Sequence, residues 1–396
     1  MNPDIFSIAR LPRIEFGPGV FSKVPNIIAG YGRCVMVVTG SHSFPATTQW
    51  DELIHALETD DITWHHVTVD GEPAPEYIDD VVRQHADSAI DVVLGVGGGS
   101  ALDAAKAIAG LLRVQHSVMD YLEGVGPELP YAGPAVPLIA APTTAGTGSE
   151  ATRNAVLSVQ GRGGFKKSFR HDRLVAEYAV VDPDLLETCP RRVIAANGMD
   201  ALTQLLESLV SLRANAFTDA LAVSGLEAVR AGLLEWYTEG ERAHAARTRM
   251  AYAALLSGIT LAQCGLGSVH GLASPLGAFY PIPHGVVCGT LVATCTAVNI
   301  QALQSRAPDS PALDKYARAA QILCGGHYAS PEAAWQALIN LLAAWTERLE
   351  LPRLGDYGVK TDDIDYIVSH SRGSSMQTNP VLLSDAEIRT CLQERL

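Results

Sequence analysis

The stretch MDALTQLLESL, residues 199–209, puts a carboxylate and an amide on one helix face, because Asp200 and Gln204 are four residues apart in a strongly helical segment. Farther on, GSVHGLASPLGAFYPIPHG carries His270 and His284, each beside a glycine. One anionic oxygen and two neutral nitrogens suit a catalytic zinc or ferrous ion that keeps a position open for substrate. Gln204 adds only a neutral amide oxygen, a poorer donor than imidazole for these metals. Glu207, about one turn further on, is placed to orient a ligand from outside. A lone histidine is more often structural or solvated, and the chain has twelve. Spacing by itself therefore leaves a metal site and an ordinary core both open.

A second kind of chemistry is suggested by GVGGGSALDAAKAIAG, which follows a strand-like run and opens a helix-like one. Glycines let backbone approach an anion closely, and free N–H groups at a helix start point toward it. The stretch is a near miss to the dinucleotide fingerprint: Gly95 and Gly97 fit, while Ser100 stands where the third glycine would be. Ser100 is also a good helix cap, and a plain strand-to-helix turn is the competing reading. The stretch APTTAGTGSEATRN leaves another strand, with hydroxyls and glycines able to face phosphate, ribose or amide. Two such loops at strand ends of one α/β half reinforce each other, since such sheets bind nucleotides there.

The elements that must position these groups fall into two halves. CVMVVTG, ITWHHVTV, DVVLGVGG, AVPLIAAP and YAVVDP are apolar runs ending in Gly, Val, Pro or Asp, and helical patterns such as QWDELIHALET and SALDAAKAIAGLL lie between them. Strand and helix in alternation predict a parallel sheet covered on both faces. After Pro190 the strand signals stop and long helical patterns follow. At 396 residues two domains are the natural division, taken as 1–188 and 189–396.

Composition narrows the function. Hydrophobic residues make up 47% and charged residues 18%, a globular balance, and the net charge of −14 argues against a nucleic-acid footprint. No run approaches eighteen consecutive apolar residues, so no membrane span is predicted, and the N-terminal residues lack the pattern of a secretory signal. Seven scattered cysteines without a CxxC pair predict reduced, mostly buried thiols in a cytoplasmic protein.

In this order along the chain, GGGSALDAAK (97–106), PTTAGTGSE (142–150), GMDALTQLLE (198–207) and VHGLASPLGAFYPIPHG (269–285), with NPVLLSDAEI near the end, resemble the iron-containing (group III) alcohol dehydrogenase family. The resemblance implies the dehydroquinate synthase-like fold: a Rossmann-like α/β N-terminal domain, an all-α C-terminal domain and a cleft between them. It implies that Gly97, Gly98, Gly99 and Ser100 surround the cofactor pyrophosphate and that Thr143, Thr144 and Thr147 line the cofactor. Lys167, or its neighbour Lys166, would reach the ribose, and Asp103 would lie on the nicotinamide side. Asp200, His270 and His284 match three of the family's four metal ligands and form the catalytic trio. The fourth is usually a histidine at the position of Gln204, which would then be a weak ligand or a near neighbour. Ser274 is a further departure, standing where another histidine near the substrate is common. The same resemblance includes glycerol-binding relatives that hold zinc with one aspartate and two histidines.

Members preferring NAD usually carry an aspartate after the second strand, where it repels a 2′-phosphate. Here VVTGSHSF places Gly40 and Ser41 there, which favours NADP or dual use unless Gly40 simply serves a turn. The expectation is an NAD(P)(H)- and metal-dependent alcohol dehydrogenase or aldehyde reductase acting on a small alcohol or aldehyde. It would be a homodimer by family habit. Two alternatives share the architecture: a metal-free reductase of the maleylacetate type, and an NAD-using lyase like dehydroquinate synthase. Arg153 after the second loop would hint at an anionic substrate if it faced the site, though a solvated arginine is the commoner case.

Overall fold

The computed structural model of the chain describes residues 5–396. Eight strands form: β1 (Arg13–Phe16), β2 (Cys34–Gly40), β3 (Thr63–Val69), β4 (Val92–Gly97), β5 (Leu138–Pro142), β6 (Asn154–Val159), β7 (Phe165–Arg170) and β8 (Tyr178–Val181). Six of them make one parallel sheet in the order β1-β8-β5-β4-β2-β3, and β6 pairs with β7 separately. Every residue of β4 and β5 is buried. Successive side chains point to opposite faces, so both faces of the sheet are covered. That is why these strands read as unbroken apolar runs. β1 (RIEF), β6 (NAVLSV) and β7 (FKKSFR) carry polar or charged residues instead of such runs, so their sequences do not mark them as strands.

Four helices accompany the sheet: α1 (Val24–Ala29), α2 (Thr48–Thr59), α3 (Pro75–Gln84) and α4 (Gly99–Leu111). β2 lies between β3 and β4, so the chain reverses its direction of travel across the sheet at this point. In open α/β sheets the crevice beyond the strand ends at such a reversal is where ligands sit. Here those ends are Gly40 and Gly97.

After Pro190 the described chain is helical: α5 (Arg191–Val210), α6 (Ala216–Glu239), α7 (His244–Cys264), α8 (Ser268–Phe279), α9 (His284–Arg306), α10 (Pro311–Cys324), α11 (Pro331–Arg348), α12 (Ile364–Ser369), α13 (Ser374–Gln377) and α14 (Asp385–Gln393). α5 is buried on all sides between α6, α7 and α9, as a helix at the centre of a bundle must be. α9 is long and apolar enough to cross a membrane, with mean hydropathy 1.7 over its best window, but 83% of that window is buried. Polar residues interrupt it, so a search for unbroken apolar runs passes it over. Its burial is that of a bundle core helix.

The chain divides into two units by its internal contacts, and the division differs in detail from 188/189. The α/β unit holds Ala9–Val159 and Lys166–Cys189; the helical unit holds Pro190–Leu396, Gln160–Phe165 and residues 5–8. The Gly161 amide donates to the Ala278 carbonyl at the end of α8 (2.9 Å). Local periodicity carries no trace of such a long-range attachment. Residues 1–4 of the expected first domain lie outside the described residues.

Candidate metal centre and cofactor loops

The helical unit concentrates buried polar groups around α5. Asp200, Gln204 and Glu207 all lie on this buried helix, where polar side chains cost free energy unless partnered. α9 is pressed against α5 at two glycines. A Cβ on Gly285 would come within 2.6 Å of the Ala196 carbonyl oxygen, and one on Gly289 within 2.8 Å of the Met199 Cβ. This close approach brings His284, at the first turn of α9, and Cys288, one turn later on the same face, up to Asp200. His270 arrives from α8.

The donor atoms of Asp200, His270, His284 and Cys288 all lie within 4.8 Å of one another. His270 Nε2 is 3.2 Å and His284 Nε2 3.8 Å from Asp200 Oδ1. Cys288 Sγ is 3.6 Å from His270 Nε2 and 3.8 Å from His284 Nε2. Burial works to raise the Asp200 carboxyl, but His284 and His270 beside it outweigh that and hold it below the ordinary carboxylate value. Burial pushes the Cys288 thiol up to about 12.

Glu207 lies outside this group and orients it. Its Oε1 accepts from the Val269 amide (2.7 Å) and its Oε2 faces His270 Nδ1 (2.7 Å). A carboxylate can only accept here, so Nδ1 carries a proton, which leaves Nε2 as the nitrogen available to a bound ion.

Gln204 takes the second of the two places expected of it, that of a near neighbour. Its amide oxygen accepts from the Ser257 hydroxyl (2.9 Å), and its Nε2 donates toward Asp200 Oδ1 (3.4 Å). Facing a carboxylate, the amide must present N–H. The ligand role expected of its oxygen is therefore not what the structure presents. Gln204 is a near neighbour, and the fourth donor atom in the group belongs to Cys288. Ser274 sits on α8 one turn beyond His270.

A divalent ion suits this set of residues. Asp200 is fully buried, its Oδ1 faces both histidine rings, and its Oδ2 meets no hydrogen-bond donor among the described residues, a costly condition for an ionised carboxylate that a cation bound to it relieves. Two imidazole nitrogens and a sulfur beside it are donors that zinc and similar ions take.

In the α/β unit, Gly98 caps α4 with extended backbone (φ −73, ψ −176), and no side chain caps this helix start. Ser100 is the second helical residue, so its expected capping role falls to Gly98. The glycines of the loop differ in what they do. Cβ atoms on Gly97 and Gly99 would come within 2.6 Å of the Ala101 Cβ and 2.9 Å of the Thr147 Cγ2, whereas one on Gly98 would meet Thr144 at an ordinary 3.5 Å. Protein packing thus requires glycine at 97 and 99 but not at 98. Gly98 is the position where something other than protein can ask for the missing side chain. The Thr143 amide donates to the Gly97 carbonyl (2.9 Å), so Thr143, Thr144 and Thr147 do lie against the glycine loop. A Cβ on Gly40 would meet nothing within 4 Å, and Gly40 is not among the positive-φ glycines. No turn geometry calls for it.

The first loop's helix is tied to the second loop by a web of buried polar groups. Lys106 is fully buried and donates to Ser149 Oγ (2.6 Å), Thr152 Oγ1 (2.8 Å) and the Asn154 carbonyl (2.9 Å). Asp103 accepts from Ser149 Oγ (2.6 Å) and the Val156 amide (3.2 Å). Its carboxylate therefore binds α4 to the second loop. The signal was present in Asp103 and Lys106, three apart on an otherwise apolar helix. Lys166 is paired with Glu72, and the adjacent Lys167 points to the opposite face of β7, as strand alternation requires. Arg153 pairs with Asp172 in an exposed salt bridge (2.7 Å).

Comparison with known proteins gives these two sets of residues a common context. Residues 12–183 match the model of the family described as iron-containing alcohol dehydrogenase, and residues 194–396 match that of the Fe-containing alcohol dehydrogenase family, C-terminal. The chain is similar to alcohol dehydrogenase 4 of Schizosaccharomyces pombe, at 34% identity over 96% of this chain and 87% of that protein. Among solved structures it resembles the archaeal halo-thermophilic Red Sea brine pool alcohol dehydrogenase ADH/D1 bound to NZQ (TM-score 0.90, 25% identity, 100% of both chains). It also resembles sulfoacetaldehyde reductase from Bifidobacterium kashiwanohense in complex with NAD+ (TM-score 0.83, 26% identity, 99% of both chains).

Proposed function

The chain belongs to the iron-containing alcohol dehydrogenase family, and we propose that it moves a hydride between NAD(P)(H) and a small alcohol or aldehyde. The observation that carries this reading is the group of Asp200, His270 and His284, the first two buried and His284 half-buried, around an Asp200 carboxylate with one oxygen that no donor meets among the described residues. When bound, a divalent ion supplies Lewis acidity to the substrate oxygen and the nicotinamide ring supplies or accepts the hydride. The chain's own residues do the rest. Asp200, His270 and His284 hold the ion. Glu207 keeps the His270 proton on Nδ1 so that Nε2 stays a donor. The packed helices α5, α8 and α9 keep water from the donors' outer side, which strengthens every charge interaction there.

The nucleotide is read at the ends of β2 and β4. The uncapped start of α4 and the open approach at Gly98 support a pyrophosphate there, with Ser100, Thr143, Thr144 and Thr147 beside it and Lys167 toward the ribose. Gly40, with Ser41 after it, supports NADP used at least as readily as NAD, since no carboxylate there opposes a 2′-phosphate. The seven free cysteines fit the cytoplasm, and the family habit is a homodimer.

An absorbance assay for NAD(P)H with panels of alcohols and aldehydes tests the reading, run on protein stripped with chelator and reloaded with zinc or ferrous ion. Turnover restored by metal is the expected result. Full turnover after stripping would favour the metal-free reductase, and no turnover with any substrate under any loading would overturn the oxidoreductase assignment for these substrates.

A further inference from the structure

We infer that Cys288 is a metal ligand in this chain, completing an Asp-His-His-Cys set in which a thiolate takes the place that Gln204 leaves unfilled. The inference rests on the metal reading above and goes beyond it. Family resemblance directs attention to position 204, whereas the geometry points to a different helix.

Three observations carry it. The first is shape. With bonds of about 2.0–2.1 Å to nitrogen or oxygen and about 2.3 Å to sulfur, ligand atoms at near-tetrahedral angles sit roughly 3.3–3.6 Å apart. An ion that expands to five-coordinate still has a position for substrate beside four such ligands. The measured separations are 3.2 and 3.8 Å from Asp200 Oδ1 to the two histidine nitrogens. From Cys288 Sγ to the same nitrogens they are 3.6 and 3.8 Å. These four separations are near those of neighbouring ligands on one ion, and all four atoms lie within 4.8 Å of one another.

The second is Gln204. Its oxygen is held by Ser257 and its amino group is turned toward Asp200. To become a ligand it would have to give up the first bond and turn over. Cys288 Sγ already faces both histidine nitrogens and has only its proton to lose, which an incoming ion displaces.

The third is placement. Cys288 follows His284 by one helical turn, and Gly285 and Gly289 let this face of α9 close on α5. The contact that brings His284 to Asp200 brings Cys288 with it. The other six cysteines do not join the group among the described residues.

A thiolate changes which ion the site prefers. Sulfur is a soft donor that favours zinc over ferrous iron, and zinc also stands above iron in the usual order of affinities. The chain should accordingly hold zinc more tightly than its family description suggests.

Cobalt(II) provides the test, since a cysteine thiolate bound to it gives an intense sulfur-to-metal charge-transfer band in the near ultraviolet. Full-length protein is stripped with chelator and titrated with Co2+ alone, following absorbance and bound metal. The expected result is a charge-transfer band saturating at one ion per chain, displaced by Zn2+. In Cys288→Ser that band should vanish, and zinc affinity should fall by more than the about 10- to 100-fold that loss of an outer hydrogen-bond partner costs. One bound Co2+ in wild type without the band would overturn the inference while leaving the Asp200, His270 and His284 reading intact. A band that survives in Cys288→Ser would overturn it too, by assigning the sulfur elsewhere. Failure of wild type to bind Co2+, Zn2+ or Fe2+ would overturn the metal reading itself and this inference with it. Even if the variant folds poorly, a wild-type spectrum without the band overturns the inference, and Cys288→Ala provides a second variant for the assignment.

Discussion

Glu207 Oε2 and His270 Nδ1 stand 2.7 Å apart in the buried core of the helical unit. The other Glu207 oxygen is held by the amide of Val269, the residue before His270. One carboxylate thus fixes both the backbone and the ring of a candidate ligand. Glu207→Ala should lower zinc affinity about 10- to 100-fold, with Glu207→Gln in between because an amide oxygen can still accept from Nδ1. Competition against a chromophoric chelator measures this. Unchanged affinity in Glu207→Ala would show that packing alone orients His270.

At the glycine loop, neighbouring positions should respond differently. Gly98→Val adds a side chain where packing leaves room, so the circular dichroism spectrum should stay near wild type while NAD(P)H binding collapses. Gly99→Ala drives a Cβ to within 2.9 Å of Thr147, and this overpacking should cost about 1–3 kcal/mol of stability. Thermal melts and cofactor titrations on both variants separate the two effects. Normal cofactor binding by a folded Gly98→Val would mean that the loop is only a turn.

The reach of the sequence is uneven in a physical way. The buried strands β2, β4 and β5 and the long helices were legible because burial on both faces, or all round, leaves continuous apolar runs. β1, β6 and β7 left no such mark, and the attachment of residues 160–165 to the helical unit depends on contacts no local window contains. The family was legible from the order of four motifs. Asp200, His270 and His284 stood out through charge and spacing. Cys288 did not, because an isolated cysteine in HGVVCGTL is what a small buried hydrophobe looks like. Only the packing of α9 on α5 reveals its neighbours. Lys106 stood out as a charge on an apolar helix, but its partners Ser149, Thr152 and Asn154 come from a distant stretch of chain.

The end of β2 yields a cofactor prediction. A side chain at Gly40 meets no protein atom, so Gly40→Asp should fold normally and place a carboxylate where a 2′-phosphate would be repelled. Wild type should use NADPH at least as well as NADH, and the variant should shift the ratio of kcat/KM toward NADH by tenfold or more, the effect of roughly 1.4 kcal/mol. A wild type that strongly prefers NADH would remove the reading of Gly40.

Glu150 gives the α/β unit a pH-dependent stability. Burial raises its carboxyl from the ordinary 4.5 to about 7, a rise that its own backbone amide and the Lys106 ammonium reduce but do not cancel. The folded state then keeps a proton that the unfolded state has released. Stability from this group is complete below about 4.5 and is lost as pH climbs through about 7. At about 1.4 kcal/mol for each pH unit in which the two states differ by one proton, the loss approaches about 3 kcal/mol. Glu150→Gln should melt with wild type near pH 4.5 and above it at pH 8. Equal melting temperatures at pH 8 would show that Glu150 ionises without cost.

Gln204 offers a test in which one substitution repairs another. It shares a face of α5 with Asp200, and its Nε2 lies 3.4 Å from Asp200 Oδ1, so a histidine there can offer nitrogen to the same group. In wild type the position is of little use to a metal that already has Cys288. Gln204→His alone should therefore raise zinc affinity only slightly, by less than tenfold. In a Cys288→Ser background the same substitution supplies the missing donor and should recover the affinity lost, about 10- to 100-fold or more. The cobalt charge-transfer band should stay absent, because nitrogen has replaced sulfur. Reloading with ferrous iron should also become easier in the double variant, as imidazole and carboxylate suit iron better than thiolate does. Metal content after chelator dialysis, measured on wild type, both single variants and the double variant, completes the cycle. If Gln204→His gains as much affinity with Cys288 present as without it, the two positions do not compete for one ion, and residue 204 acts independently of Cys288.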